Sequence, residues 1–315
     1  MTSLRVAFAG TPEFARTALA ALLQSRHEVI GVFTRPDRPR GRGRKLAASA
    51  VKEAALAAQL PVSQPETLRG DAAALAQLKA WRPDALVVVA YGLILPQAML
   101  DASPLGSVNI HASLLPRWRG AAPIQRALLA GDSHTGITIM RMEAGLDTGP
   151  ILLQRSISIG AADTSGHLHD RLATLGAQML LETFDDLADR LPGTPQSVEG
   201  ASYAAKVEKS EAAINWQCTA IDIDRQVRAF NPWPMAQTRF DDEQLRIVAA
   251  HAEHADAATK TTAFPGTVMA VRDECIVVQC RQGCLGLTQL QRPGRRPVSA
   301  REFASSRTLL GRRLG

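Results

Sequence analysis

The sequence contains no long hydrophobic run, and this absence argues against a membrane-spanning helix. The longest apolar stretch, residues 85–96, includes Tyr91 and Gly92 and is shorter than the roughly 20 residues that a spanning helix needs. The first ten residues, MTSLRVAFAG, have only a short apolar run around an arginine and lack the features of a secretory leader. We therefore expect a cytoplasmic protein without a membrane anchor.

Cysteine is also scarce, and its spacing does not indicate a metal site. The four cysteines lie late in the chain without a C-x-x-C pair; they are Cys218, Cys275, Cys280 and Cys284. His251 and His254 are possible additional ligands, but a histidine pair in a loop without suitable neighbours is more typical of a surface. We expect reduced core thiols and no metal.

A dinucleotide-binding motif and a serine-nucleophile motif are missing as well. The segment AGTPEFA after the first apolar run lacks the full G-x-G-x-x-G pattern and contains a proline, which argues against a nicotinamide cofactor. The chain also has no G-x-S-x-G elbow, so no serine nucleophile of that type competes with the residues discussed below.

The length and the charge distribution indicate two domains and a polyanionic partner. A chain of 315 residues is long enough for two hydrophobic cores. The formal net charge is +6, but residues 34–45 and 281–315 carry excesses of five and seven positive charges, so the remainder is negative by about six. Concentrated positive charge favours a nucleic-acid partner, although each segment alone is also compatible with a solvated loop or tail.

Apolar runs alternate with helical segments in the first 187 residues. A strand at residues 5–9, a turn at Gly10 and a helix opened by Pro12 with Thr11 as its N-cap form the first unit. Similar runs follow at residues 29–33, 85–90 and 108–111. The pattern predicts an α/β fold with a Rossmann-like, mostly parallel sheet, whose ligand site lies at the carboxyl ends of the strands.

The second part of the chain has a different pattern. Residues 188–208 gather prolines, glycines and small polar residues without a period, and we interpret them as a linker. Residues 209–315 contain short β-like runs separated by turn signals such as Pro265-Gly266 and Pro293-Gly294. This arrangement predicts a smaller, OB-like β-barrel domain.

Three polar residues carry the predicted chemistry. Asn109 and His111 are two apart on one strand, so both point to the same face at its carboxyl end. Asp147 lies between Gly145 and Gly149 in a second loop that can reach His111. An amide, an imidazole and a carboxylate suit acyl transfer to an amine, whereas each residue alone is equally compatible with a cap, a core histidine or an Asx turn.

The sequence resembles the methionyl-tRNA formyltransferase family over nearly its whole length. The segments that carry this resemblance occur in order: FAGTPEFA, VFTRPDRPRGRGRKL, VVAYGLILP, NIHASLLPRWRGAAPIQ, MEAGLDTG and RAFNPWPMA. The resemblance implies that 10-formyltetrahydrofolate donates a formyl group to initiator methionyl-tRNA, with Asn109 and His111 stabilising the oxyanion and Asp147 assisting proton transfer. Two alternatives remain: a formyltransferase for a small amine, and a nucleic-acid-binding protein without catalysis.

The resemblance also implies two sets of binding residues, in a protein that we expect to be a monomer. The folate site is formed by Ser113, Leu114, Leu115 and Pro116, flanked by Tyr91, Gly92, Leu93, Ile94 and Leu95. The tRNA is contacted by Arg35, Arg38, Arg40, Arg42, Arg44 and Lys45 in the first basic segment and by Arg292, Arg295 and Arg296 in the second. We expect Arg42 to contact the acceptor stem, because arginine binds phosphate bidentately and can also contact bases.

Overall fold

The computed structural model describes residues 3–40, 45–187, 191–253, 263–305 and 307–315. They form two compact units. The first contains residues 1–123, 134–158 and 169–204, and the second contains residues 124–133, 159–168 and 205–315. Among the described residues, no helix has both the length and the apolar character needed to cross a bilayer.

The first unit is built on a seven-stranded sheet. The strands of this unit are the seven of the sheet and four short strands that form two separate pairs. They are β1 (Arg5–Gly10), β2 (Glu28–Phe33), β3 (Arg38–Arg40), β4 (Lys45–Ala47), β5 (Val62–Ser63), β6 (Ala85–Val89), β7 (Ser107–His111), β8 (Arg119–Gly120), β9 (His134–Arg141), β10 (Ile151–Ser158) and β11 (Tyr203–Ala204). The helices in this part of the chain are α1 (Glu13–Leu23), α2 (Ala50–Ala57), α3 (Ala72–Trp81), α4 (Gln97–Leu100), α5 (Pro123–Ala130) and α6 (Ser165–Asp185).

The strand order of this sheet is β10-β9-β7-β6-β1-β2-β5. All pairs from β7 to β5 are parallel, whereas β9 pairs antiparallel with both β7 and β10. The chain runs from β1 outward through β2 and β5 and then returns to β6 on the other side of β1. The topological switch point therefore lies at the carboxyl ends of β1 and β6, where α/β sheets bind ligands.

One local prediction at this switch point is wrong. The N-cap of α1 is Pro12, and no side chain caps the helix. The Thr11 hydroxyl instead donates to the Tyr91 carbonyl oxygen at 2.9 Å. A long-range partner therefore uses the group that the local pattern assigned to capping, and this hydrogen bond joins the loops that follow β1 and β6.

The face of β7 that carries Asn109 and His111 is opposite to the one covered by α6. A Cβ atom added at Gly176 of α6 would lie 2.8 Å from Ile110 and 3.5 Å from Ile137, so this helix packs closely on that side of the sheet. Since Ile110 alternates with its neighbours along β7, Asn109 and His111 point to the other face. The predicted linker, residues 188–208, contains β11, which pairs with β8 within the same unit.

The second unit is a small antiparallel barrel. Its remaining elements are a 3₁₀ turn (Lys209–Ala212), α7 (Ala220–Ala229), β12 (Gln237–Phe240), β13 (Glu243–Ala252), β14 (Val268–Val271), β15 (Ile276–Gln279), β16 (Cys284–Gln291), β17 (Pro297–Ser299) and α8 (Ala300–Ala304). The sheet order is β12-β13-β16-β15-β14, and β17 pairs with β16.

The last residues of the chain close this barrel. Leu314 bridges to Phe240 of β12, and Arg313 bridges to Thr267, which precedes β14. The C-terminal segment thereby supplies backbone partners to both edge strands, which would otherwise expose unpaired groups. The predicted fold class, a mostly parallel α/β sheet followed by an OB-like barrel, is confirmed.

Candidate active site

His111 lies at the carboxyl end of β7 with both ring nitrogens directed to specific groups. Its Nε2 lies 2.9 Å from the carbonyl oxygen of Trp118. Because a carbonyl oxygen can only accept, Nε2 carries a proton and donates it. Nδ1 then faces Asp147, with 3.6 Å between Nδ1 and Oδ2. This separation exceeds a direct hydrogen bond, so Nδ1 is free to exchange a proton near the carboxylate.

The Asp147 carboxylate is fixed on one oxygen and open on the other. Oδ2 accepts a hydrogen bond from the Gly120 N–H at 2.8 Å, while Oδ1 has no hydrogen-bond partner among the described residues. The residue has φ +51°, a left-handed conformation that Asp tolerates better than most residues. The side chain is 18% exposed, so its free oxygen is accessible to a small ligand group.

Asn109 lies two residues before His111 on the same face of β7. It pairs with Val88 of β6 and Met140 of β9 through its backbone, and the residue is 9% exposed. Within the described part of the chain, its side-chain amide forms no hydrogen bond. Its N–H groups can therefore donate to a ligand oxygen. The structure therefore places Asn109 and His111 on one face at the carboxyl end of β7, with Nδ1 of His111 3.6 Å from Oδ2 of Asp147.

Sequence reasoning missed a supporting network behind Asp147. The Gln196 amide donates to the carbonyl oxygens of Asp147 and Gly149 at 2.8 and 2.7 Å. Its Oε1 accepts from Nε and NH2 of Arg119 at 3.0 and 2.7 Å. Arg119 is only 9% exposed and has no carboxylate within 4.0 Å among the described residues. The sequence signal was Arg119 itself, in the motif NIHASLLPRWRG. Its partner Gln196 could not be identified from this motif.

Side chains of β9 and β10 form hydrogen bonds to the predicted folate segment 113–116. The Thr138 hydroxyl donates to the Ser113 carbonyl oxygen at 2.7 Å, and accepts from the Leu115 N–H at 3.2 Å. Gln154 donates to the same hydroxyl at 2.9 Å and to the Leu115 carbonyl oxygen at 3.0 Å. The Ser113 hydroxyl is itself engaged, since it donates to the Arg117 carbonyl oxygen at 2.6 Å.

Exposure divides the folate segment into two groups. Ser113 and Leu115 are 0% and 3% exposed, whereas Leu114 and Pro116 are partly exposed. The side chains available to a ligand from this segment are therefore those of Leu114 and Pro116, and the buried pair fixes the loop.

The second predicted folate segment, 91–95, follows β6 at the switch point. Ile94 is 91% exposed, whereas Tyr91 and Leu95 are 3% and 8% exposed; Gly92 is exposed and Leu93 is partly exposed. The Tyr91 hydroxyl is buried without a hydrogen-bond partner, and burial raises the pKa of this hydroxyl well above its usual range. Tyr91 is therefore a neutral phenol that anchors the loop.

Arg35, predicted to contact tRNA, supports this loop through a hydrogen bond. Its NH1 donates to the Gly92 carbonyl oxygen at 2.7 Å, and its own carbonyl oxygen accepts from Gln64 at 2.9 Å. Asp37 nearby accepts from Lys52 at 2.7 Å and from Gln64 at 2.9 Å. The hydrogen bond from Lys52 lowers the pKa of the Asp37 carboxyl, so the base of the basic segment is fixed to the sheet.

Beyond Asp37 the basic segment forms a β-hairpin. Arg38 pairs with Ala47, and Arg40 with Lys45, in the antiparallel pair of β3 and β4. Arg38 is exposed. Arg42 and Arg44 lie outside the described residues, as does His254, which was considered as a metal ligand. The hairpin was not predicted, because its Arg- and Gly-rich composition resembles a loop.

The three predicted C-terminal arginines line one cavity of about 540 Å³ in the second unit. Arg292 is paired with Glu243 at 2.8 Å, and Arg296 with Glu302 at 2.7 Å. Arg295 is exposed and has no carboxylate partner in the described part of the chain. Arg307 also lines the cavity, with its guanidinium carbon 4.5 Å from the centroid of the Phe303 ring.

Comparison with known proteins is consistent with this geometry. Residues 4–184 match the Formyl transferase family, and residues 206–308 match the family Formyl transferase, C-terminal domain. The chain is 52% identical over 305 residues to the methionyl-tRNA formyltransferase of Pseudomonas syringae pv. syringae (strain B728a), which covers 96% of this chain and 95% of that protein.

Solved structures share the fold at lower identity. The N-formyltransferase from Helicobacter canadensis in complex with folinic acid and dTDP-3-aminofucose has a TM-score of 0.66 and 18% identity, covering 92% of this chain and 99% of its own. HypX from Aquifex aeolicus in complex with tetrahydrofolic acid has a TM-score of 0.64 and 16% identity. It matches 97% of this chain, which spans about half (47%) of HypX.

At these identities the two structures show the fold alone, whereas the near-full-length relative at 52% identity shows the family. The chain belongs to the methionyl-tRNA formyltransferase family.

Proposed function

We propose that this chain transfers the formyl group of 10-formyltetrahydrofolate to the α-amino group of initiator methionyl-tRNA, as a cytoplasmic monomer. The observation that carries the proposal is the arrangement at the end of β7. There, an unpartnered Asn109 amide accompanies a His111 ring whose Nδ1 lies 3.6 Å from Asp147. The set supplies donors for an oxyanion and an acceptor for an amine proton, without a covalent nucleophile.

In the proposed reaction, the amine nitrogen attacks the formyl carbon and the carbonyl electrons move to its oxygen. The Asn109 amide donates a hydrogen bond to that oxyanion, a kind of interaction that is much stronger in the transition state than in the ground state. Because the amide has no partner among the described residues, it can form this hydrogen bond without breaking one within the protein.

The attacking amine must lose a proton as the new C–N bond forms. Oδ1 of Asp147 is open to accept it, while Oδ2 stays fixed by the Gly120 N–H. His111 Nδ1 can take up the proton beside the carboxylate, and an imidazolium there stabilises the oxyanion. The C–N bond to the carrier then breaks, its nitrogen is protonated, and tetrahydrofolate leaves.

The folate slot is formed by the loops after β6 and β7. The partly exposed side chains of Leu114 and Pro116 and the exposed side chain of Ile94 offer apolar contact to a flat ring, together with backbone groups of both segments. Tyr91, Leu95, Ser113 and Leu115 are buried and hold the loops in place. Arg35 belongs to this supporting group through its hydrogen bond to Gly92.

We assign the tRNA contacts to the basic segment from Arg38 to Lys45, in which Arg38 is exposed, and to the arginine-lined cavity of the second unit. Phosphate contacts of this kind provide affinity that falls with salt and carry no sequence information.

The experiment is formyl transfer from 10-formyltetrahydrofolate by the purified protein. Methionylated initiator tRNA, methionylated elongator tRNA and free methionine are compared as acceptors. Fast transfer to initiator tRNA alone supports the proposal. Transfer to free methionine with tRNA ignored would retain the assignment of Asn109, His111 and Asp147 but overturn the tRNA assignment, and absence of transfer to all three would overturn both.

A further inference from the structure

A cluster of three potential metal ligands lies in the second unit. His251 is on β13, Glu253 follows the same strand, and Cys275 immediately precedes β15. One ligand atom from each lies within 4.8 Å of the other two. The sequence analysis considered His251 beside the cysteines but expected no metal, because Cys275 and Glu253 are brought to the histidine by the pairing of β14, β15, β16 and β13.

Two of the three distances within the cluster are close to the edges of a tetrahedral site, and the third is within 4.8 Å. Nε2 of His251 lies 3.1 Å from Oε1 of Glu253, and Sγ of Cys275 lies 3.6 Å from the same oxygen. Zinc bonds of about 2.0–2.3 Å to nitrogen, oxygen and sulfur place neighbouring tetrahedral ligands roughly 3.3–3.6 Å apart. Without a metal, the N–H and S–H protons donate to Oε1, in the positions that a cation would replace.

The Glu253 carboxylate is oriented for this arrangement. Its second oxygen, Oε2, accepts from NH1 of Arg272 at 3.0 Å, so Oε1 is left for the histidine and the cysteine. Ligating carboxylates in metal sites are commonly held by such an outer hydrogen bond. Arg272 therefore acts as a positioning residue.

A glycine provides the space that the cluster occupies. Gly286 of β16 is opposite His251 in the antiparallel pair. A Cβ atom at Gly286 would lie 2.8 Å from both Oε1 of Glu253 and Cε1 of His251. Glycine within a strand weakens it and often marks a site where another group approaches closely.

We propose that His251, Glu253 and Cys275 form a site for one Zn²⁺ ion, with water in the fourth position. His251 is the accessible ligand, with 53% of its side chain exposed, whereas Cys275 is 3% exposed. Binding exchanges the Cys275 thiol proton for the metal and leaves the histidine proton on Nδ1. The ion would join the end of β13 to the turn between β14 and β15, so metal binding stabilises the barrel.

The experiment uses the full-length, reduced and metal-free protein titrated with Co²⁺ as a spectroscopic probe for the zinc site. We expect a thiolate-to-cobalt absorption band that saturates at one equivalent and is abolished by Zn²⁺. His251→Ala and Cys275→Ser should each lose the band, whereas Cys218→Ser, which removes a thiol elsewhere, should retain it.

Two further variants separate binding from folding. Gly286→Ala removes no ligand but should suppress the band by occupying the space of the cluster, and Arg272→Ala should weaken Co²⁺ affinity by about 10–100-fold.

Zn²⁺ should raise the melting temperature of the wild type and not that of His251→Ala, whose exposed side chain is not needed for the core. Absence of the band in the wild type, or its persistence in Cys275→Ser, would overturn the site.

Discussion

The Trp118 carbonyl oxygen accepts the Nε2 proton of His111 at 2.9 Å, and this hydrogen bond determines the tautomer of the ring. Trp118 has φ +64°, an uncommon conformation for a bulky residue that is associated with functional sites. Its own N–H donates to the Ser202 hydroxyl at 3.0 Å. The backbone at Trp118 thus directs Nδ1 of His111 toward Asp147.

Replacing Asn109 tests the oxyanion role. Asn109→Ala should lower kcat by roughly two to three orders of magnitude, as loss of one oxyanion donor typically does. The measurement is single-turnover formyl transfer with saturating substrates, accompanied by thermal unfolding. Since the amide has no partner among the described residues, the melting temperature should be nearly unchanged, and a near-normal rate would remove the proposed role.

Two substitutions at Gln196 should separate loop positioning from stability. Gln196→Glu keeps an acceptor for the buried Arg119 but places an oxygen opposite the carbonyl oxygens of Asp147 and Gly149, so we expect kcat to fall about 10-fold or more with a smaller loss of stability than in Gln196→Met. Gln196→Met removes both functions and leaves a buried cation without an acceptor, which should also cost about 2–4 kcal/mol of unfolding free energy.

The measurements are kcat, KM and the unfolding free energy of each Gln196 variant. Equal losses of stability in both variants, with activity following stability alone, would show that Gln196 has no separate influence on Asp147.

The sequence allowed prediction of the parts of this site that depend on strand periodicity. Asn109 and His111 could be placed on one face of a strand because their spacing is two, and the α/β order placed that strand's end at a ligand site. Thr11 was assigned wrongly because capping is a local rule and its actual partner, Tyr91, lies 80 residues away.

The supporting groups could not be predicted for the same reason. Gln196 reaches Asp147 across 49 residues, and Trp118 acts through its backbone, which carries no side-chain signature. The pairing of β3 with β4 in the basic segment was likewise not predicted, because the Arg- and Gly-rich composition of this segment does not favour strands.

Thr138 and Thr135 provide a matched pair on one strand. Thr138 is fully buried and its hydroxyl bonds to Ser113, Leu115 and Gln154, whereas the buried Thr135 hydroxyl has no hydrogen-bond partner. Thr138→Val should cost about 2–3 kcal/mol and raise the KM for folate, because it leaves buried groups unpaired and loosens the 113–116 loop.

Thr135→Val should be neutral or slightly stabilising, since it removes an unpaired hydroxyl. Denaturant unfolding and folate KM are measured for both variants, and equal effects would contradict the proposed role of the Thr138 hydroxyl.

An ion pair in the second unit should make stability depend on pH. Glu211 accepts from NH1 and NH2 of Arg126 at 2.6 and 3.0 Å, and this hydrogen bonding is the largest cause that lowers the pKa of the Glu211 carboxyl below 4.5. A lowered folded-state pKa contributes stability above the unfolded value, and this stability is lost as pH falls through the folded pKa.

Glu211→Gln should therefore reduce the unfolding free energy by about 1–2 kcal/mol at pH 7, and the difference from wild type should shrink below about pH 4. Glu302→Gln, which breaks a more exposed pair with Arg296, serves as the control with little expected effect. A difference that stays constant with pH would indicate that the Glu211 charge is not involved.

Arg295 should contribute more to tRNA affinity than its paired neighbours. It is exposed and lacks a carboxylate partner among the described residues, whereas Arg292 and Arg296 are bound to Glu243 and Glu302. A guanidinium without a protein partner can bind phosphate without first breaking an ion pair. Arg295→Ala should therefore weaken binding of initiator and elongator tRNA alike and reduce the slope of log K against log salt by about 1.

The measurement is tRNA affinity over a series of salt concentrations, with Arg69→Ala as a control for an exposed arginine outside both basic segments. An unchanged salt slope for Arg295→Ala would place the phosphate contact elsewhere in the cavity. If only initiator affinity fell, Arg295 would be reading a feature of that tRNA, because a phosphate contact by itself does not distinguish sequences.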